Sequence, residues 1–137
     1  MQPKISEIAP EETFNIRHQV MWPNRPIDYI KLSNDNQGKH YGLFINGQLI
    51  SVISLFIENQ QAQFRKFATL NEHQGKGFGS QLLQHVFFLA EQQQFKRIWC
   101  NARTDKSSFY TKFGMKETDN TFKKGGIDYV IMEKTFD

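Results

Sequence analysis

Cysteine is almost missing from this chain. A single one, Cys100, stands among 137 residues, which excludes an internal disulfide and any cysteine-cluster zinc site. It lies in RIWCNA, a stretch that reads as a buried strand, and no neighbouring histidine or helix start is there to lower its pKa. It is expected to be a small core residue rather than a nucleophile. Long apolar runs are missing too. None approaches the ~20 residues that span a bilayer, and MQPKISEIAPEE carries no apolar signal core. The expectation is a cytoplasmic protein with no membrane partner. Dense basic tracts are also absent: the net charge is +3, and FKKGG and FRKF are isolated pairs that read as solvated faces rather than a nucleic-acid surface. His18, His40 and His85 offer no metal-ligand spacing, so no metal is expected. Nothing in the chain repeats, and no linker stands out.

What is present is enough for one folded domain over 1–137 with a real core. Apolar residues make up 39% and charged residues 23%, with thirteen phenylalanines, which separates the chain from disordered compositions. KISEI alternates as a first strand. APEETFNIRHQVMW reads as a helix, with Pro10 at its first position and Glu11 and Glu12 at the positive end of its dipole. WPNRPIDYIKL is a loop with room for one short helical turn. Asn46-Gly47, between two β-branched runs, is a strong hairpin signal. QAQFRKFATL follows as a third strand of an antiparallel meander, although Phe64 and Lys66 alternate against Arg65 and Phe67, so neither face is purely apolar. Leu82, Val86, Leu89 and Ala90 mark an amphipathic helix. KRIWCNA is a strand, SSFYTKFG a short helix closed by Gly114, and the last stretch two strands around Gly125-Gly126. The order is β-α-β-β-β-α-β-α-β-β, an α/β chain with a mixed sheet whose central β-α-β unit is parallel.

The informative segment is HQGKGFGSQLL. Gly75, Gly77 and Gly79 occupy alternate positions at the entrance of the long helix, although glycine costs a helix roughly 1 kcal/mol relative to alanine. A helix N-terminus leaves its first amides unpaired and carries about half a positive charge. Glycines there clear the side chains away and permit positive φ, so that successive N–H groups form an anion-binding nest, with Lys76 at the rim. The segment fits a phosphate or a pyrophosphate. It does not supply the G-x-x-x-x-G-K-[ST] spacing of a Walker A loop. It gives G-x-G-x-G rather than the dinucleotide G-x-G-x-x-G, and three consecutive strands precede it where a doubly wound sheet would alternate. A glycine turn that binds nothing remains the alternative.

Gln74-Gly75-Lys76-Gly77-Phe78-Gly79 resembles the Q/R-x-x-G-x-G/A motif of the GCN5-related N-acetyltransferase (GNAT) superfamily. ARTDKSSFYTKFGMKE resembles its second landmark, a short helix carrying F-Y-x-K-x-G-[FM]. The two lie one strand apart, as in that superfamily, and the resemblance covers nearly the whole chain. It implies the GNAT acyl-CoA N-acyltransferase fold, with a central mixed sheet flanked by helices. It also implies transfer of an acetyl group from acetyl-CoA, the co-substrate, to a primary amine of a small molecule or peptide, by direct attack in a ternary complex. A non-catalytic acyl-CoA sensor of the same fold is the alternative. An edge-to-edge homodimer through the last strands is compatible with either.

The resemblance also assigns residues. Two neighbouring strands splay apart, here Gln63–Leu70 and Arg97–Asn101, and the coenzyme enters between them. Its pantetheine arm would bond to main chain at Phe67, Ala68 and Thr69, where a bulge would free an amide for the thioester carbonyl. The pyrophosphate would sit on Gln74, Gly75, Gly77, Gly79 and Ser80, with Lys76 beside it and Gln74 standing where arginine is commoner. Asn101 would hold the pantetheine or the incoming amine. Tyr110 matches the tyrosine that faces the sulfur and would protonate the leaving thiolate. Many relatives carry a glutamate base on the central strands, where this chain has Arg65 and Lys66; Glu58 is the candidate, with His73 and Glu72 as alternatives poorly placed beside the phosphate site and solvent as the acceptor otherwise. Arg17, Trp22, Arg25 and Tyr29 would form an aromatic, basic pocket for an acceptor with a carboxylate.

Overall fold

The computed structural model describes residues 2–136. Its strands are β1 (Lys4–Ile8), β2 (Lys39–Ile45), β3 (Gln48–Glu58), β4 (Gln61–Thr69), β5 (Arg97–Arg103), β6 (Lys116–Lys124) and β7 (Ile127–Thr135). Its α-helices are α1 (Phe14–Met21), α2 (Phe78–Gln92) and α3 (Ser107–Thr111). The order is the one read from the sequence. The strands form a mixed seven-stranded sheet, β1-β2-β3-β4-β5-β7-β6. β5 runs parallel to β4, while the β1–β2, β2–β3, β5–β7 and β6–β7 ladders are antiparallel.

Local chemistry explains the turns. Asn46 (φ 51°) and Gly47 (φ 80°) give the hairpin between β2 and β3 the left-handed backbone that matches strand twist. Asn59 (φ 55°) and Gln60 (φ 63°) do the same between β3 and β4 without any glycine. A two-residue turn joins only antiparallel neighbours. The α1 entrance is a 3-10 turn, Pro10–Thr13, where the Glu12 carboxylate accepts the Ala9 amide at 2.7 Å. α3 ends in a paired set of turns: the Met115 amide donates to the Tyr110 carbonyl and the Gly114 amide to Thr111, with Gly114 at φ 89°.

The chain packs as two compact units. The first comprises β1, α1, β2 and β3 up to Phe56, together with Arg65–Val86. Its core includes Leu43, Ile50, Val52, Ile53, Leu82, Leu83 and Val86. The second comprises Ile57–Phe64 and the chain from Phe87 onward. Its core includes Ala62, Phe64, Ala90, Ile98, Cys100, Val130 and Met132. Cys100 is a buried core residue whose thiol pKa is pushed up to about 12 by burial, so it stays protonated and unreactive, as its strand context predicts.

Candidate active site

Within the first unit, the mouth of α2 is a row of bare amides. Gln81 makes the first helical bond, to the Gly77 carbonyl. Among the described residues, the amides of Gly75, Lys76, Gly77, Phe78, Gly79 and Ser80 have no acceptor in the protein. Gly75 (φ 77°) and Gly77 (φ 85°) need the left-handed backbone, and a Cβ at either would meet nothing within 4 Å. The mouth is therefore open, positively polarised and free of side chains at the two places that curl it. That donor set fits a diphosphate. Gly79 works differently from its two neighbours. It is helical, and a Cβ there would lie 3.1 Å from Thr69 Oγ1 and 3.2 Å from the Phe67 ring, so its bareness lets α2 lie close on β4.

Gln74 braces this loop. Its own amide donates to the Asn71 carbonyl, and its side-chain Nε2 donates to the Thr69 carbonyl at 2.9 Å and to Asn71 Oδ1 at 3.1 Å. The main-chain N–H assigned to an anion from the sequence is thus occupied. The structure gives Gln74 the task of tying the glycine loop to the end of β4.

β4 changes character at Lys66. In the second unit Phe64 meets Phe87 of α2, ring centroids 6.4 Å apart. In the first unit Phe67 meets α2 at Gly79. Between the two, Lys66 has a left-handed φ of 55°, which breaks the regular alternation of a strand. The family resemblance implies a bulge in this stretch. Beyond it, the Leu70 amide donates to Ile50 and Ser51 Oγ donates to the Ala68 carbonyl. Ala68 and Leu70 therefore turn their main chain toward β3, and strand alternation turns that of Thr69 away from it. Thr69 Oγ1 bonds Ser51 Oγ at 2.8 Å, fixing that end of the strand.

In the second unit, the parallel ladder of β4 and β5 pairs only Gln61–Gln63 with Arg97–Trp99. Tyr110 sits where it stops. Its ring lies 5.7 Å from that of Phe64, the next β4 residue, and 5.3 Å from Phe109. Burial and the nearby Cys100 thiol raise its phenol pKa above the ordinary value of 10. The hydroxyl has no hydrogen-bond partner among the described residues. A half-buried phenol of this kind stays protonated at neutral pH with its proton uncommitted. Asn101, two positions past the ladder on β5, is exposed and its side-chain amide is likewise unengaged.

The Gln74 amide and the Ala68 carbonyl, assigned to the coenzyme from the sequence, already have protein partners, and two further assignments, Glu58 and Arg17, do not survive. Glu58 is exposed beside the Asn59-Gln60 turn, at the closed end of the ladder where Gln61 pairs with Arg97. Tyr110 stands at the other end, and a base must come within hydrogen-bond reach of the proton that it takes. Arg17 is fully buried. Its two terminal nitrogens grip both Asp35 oxygens at 2.9 Å and also bond Ser54 Oγ and the Ile30 carbonyl. It is a structural ion pair, closed to any acceptor. His40 completes the network, between Ser54 Oγ and the Asp35 carbonyl oxygen. The signal was legible: Arg17 shares a helical face with Thr13, Ile16 and Val20. Trp22, Arg25 and Tyr29 do come together. The Trp22 and Tyr29 rings meet edge-on at 5.1 Å, and the Arg25 guanidinium lies 4.9 Å over Tyr29.

The comparisons agree with this geometry. The sequence pattern of the family described as Acetyltransferase (GNAT) domain matches residues 6–136. The uncharacterised N-acetyltransferase YitI of Bacillus subtilis (strain 168) is 32% identical, over 96% of this chain and 95% of its own. A Lactobacillus plantarum protein assigned as an N-acetyltransferase has the same fold, with a TM-score of 0.88 at 22% identity, covering 98% of this chain and 99% of that one. A GNAT acetyltransferase from Elizabethkingia anophelis, solved with acetyl-CoA bound, superposes with a TM-score of 0.76 at 16% identity over 98% of each. The chain belongs to the GNAT family of acetyltransferases and is an acetyl-CoA-dependent acyltransferase.

Proposed function

We propose that the protein transfers the acetyl group of acetyl-CoA directly to a primary amine in a ternary complex, with Tyr110 as the proton donor. When bound, the coenzyme supplies an acetyl group activated as a thioester, which an amine attacks with departure of a thiolate. The chain's own residues divide the remaining work. The bare amides from Gly75 to Ser80 bind the diphosphate, and Lys76 adds charge at their rim. Main chain at Phe67 and Thr69 bonds the pantetheine arm, and a donor at the Lys66 bulge meets the thioester carbonyl. Asn101 offers an amide to the arm or to the amine. The Tyr110 phenol delivers its proton to the departing sulfur. No protein base is assigned: the amine releases its proton to water.

One observation carries this reading: an uncommitted, protonated phenol stands at the point where the β4–β5 ladder stops. The test is thermal melting of the protein with and without acetyl-CoA, followed by an amine panel read by thiol release. A ligand at ~100 times its Kd stabilises by ~2.7 kcal/mol, so the melting temperature should rise by several degrees. No shift at saturating acetyl-CoA would defeat the reading.

A further inference from the structure

Arg65, beside the bulge, is left unused by the chemistry above. It is half-buried on β4, yet among the described residues its guanidinium has no hydrogen bond, ion pair or ring contact. Within the first unit it stands near the buried Arg17–Asp35 pair. The charges of Arg17 and Asp35 act on it there, but neither satisfies it. Asp35 already gives both carboxylate oxygens to Arg17, and Arg17 repels a second cation. Burial, and after it the Arg17 charge, push the Arg65 pKa down from its ordinary value; an arginine still remains a cation. A guanidinium held partly out of water with no counter-ion lacks about the hydrogen bonds that a carboxylate would give it. It also adjoins the bulge residue, one Cα step of about 3.8 Å from the main-chain donor assigned to the thioester carbonyl.

We propose that Arg65 selects the acceptor by binding a carboxylate carried a few bonds from the reacting amine, which makes the substrate an amino acid or a similarly compact amino carboxylate. The inference rests on the acetyl-transfer reading and narrows it. It replaces the acceptor role that the sequence suggested for Arg17, and it explains why a cation can stand on β4 where many relatives place a glutamate base. A coenzyme phosphate is the other anion available, and the two sources separate kinetically.

The experiment sets the twenty α-amino acids against their α-carboxamides, with acetyl-CoA as donor, for the native protein, Arg65→Gln and Arg65→Lys. The native protein should prefer the free carboxylate of at least one amino acid by ~10- to 100-fold in kcat/KM, the usual worth of a hydrogen-bonded ion pair lost at one end. Arg65→Gln should erase that preference while the KM for acetyl-CoA stays unchanged. Arg65→Lys should keep part of it, since the charge survives without the bidentate fork. Equal use of acids and amides by the native protein overturns the proposal, as does acetylation of neither. A rise in the acetyl-CoA KM of Arg65→Gln, with the acceptor preference intact, assigns the residue to the coenzyme and also overturns it. Acetyl-CoA melting shifts on both proteins keep the two readings apart: a normal shift with no carboxylate preference rejects this inference alone, and no shift rejects acetyl transfer itself.

Discussion

The two parts of β4 are built on different rules. From Gln61 to Phe64 the strand alternates regularly, buries Ala62 and Phe64, pairs in parallel with β5, and sets Phe64 against Tyr110. From Arg65 to Thr69 it breaks that alternation at a left-handed lysine and takes its fixing bonds from Ser51 and from the glycine-loop residue Gln74. Regular pairing satisfies a strand's main chain and leaves nothing to offer a ligand. Irregular backbone costs on the order of 1–3 kcal/mol at a strained residue but turns donors and side chains to places that a regular strand cannot reach. In the proposed reaction the regular part positions an acid, and the irregular part presents main chain and a cation.

The largest effect should come at the regular part. Tyr110→Phe keeps the ring that packs on Phe64 and removes the hydroxyl with its proton. General acid catalysis contributes ~10²–10⁴-fold, so kcat should fall by that range while the acetyl-CoA KM holds, measured by thiol release under saturating donor. The sign of the pH dependence follows from the raised pKa. A phenol whose folded pKa lies above 10 is protonated throughout the neutral and mildly alkaline range, so native activity should not decline through Tyr110 ionisation at any pH below 10. An alkaline loss centred near pH 8 or 9 that Tyr110→Phe abolishes would remove the tyrosine from the role given to it.

At the irregular part, Lys66 is the discriminating position. Glycine adopts φ 55° without strain, whereas a β-branched residue at positive φ is a true outlier. Lys66→Gly should keep turnover and the melting temperature near native. Lys66→Val should lose on the order of 1–2 kcal/mol beyond what the lysine already carries, since branching at Cβ makes positive φ a true outlier, and should lose activity out of proportion to stability if flattening the bulge displaces Arg65. If Lys66→Val retains native turnover, the bulge positions nothing, and the contrast between the two parts of the strand is only one of backbone shape.

How far this was readable before any fold was available follows from the same residues. The strand and helix order, the Asn46-Gly47 and Gly125-Gly126 turns and the glycine-rich helix mouth were legible because each rests on local rules: period, positive φ and unpaired first-turn amides. The bulge was visible only as an inconsistency, Phe64 and Lys66 alternating against Arg65 and Phe67, which has no answer while the strand is assumed regular. The left-handed backbone at Lys66 breaks the alternation and removes that assumption. Arg17 failed as a pocket residue because its partner, Asp35, lies eighteen positions away in a loop without a pattern of its own. Glu58 failed because sequence gives a strand's residues but not which end of a parallel ladder stays closed.

The smallest expected effect tests the brace between the glycine loop and the strand. Gln74 is exposed and makes two side-chain bonds, to the Thr69 carbonyl and to Asn71. Neutral hydrogen bonds in water contribute a net ~0.5–1.5 kcal/mol each, and less where solvent replaces them readily. Gln74→Ala should therefore leave the melting temperature within a degree or two of native. Its cost should appear instead in the Kd for coenzyme A, raised by no more than ~10-fold, because the loop must then be ordered by the ligand rather than before it arrives. Calorimetric titration with coenzyme A measures this directly, with Gln74→Arg as the control that restores a long donor and adds a charge toward the diphosphate. A Gln74→Ala protein that binds coenzyme A as tightly as the native one would show that the bare amides at the helix mouth hold their geometry unaided, through the left-handed glycines at 75 and 77 alone.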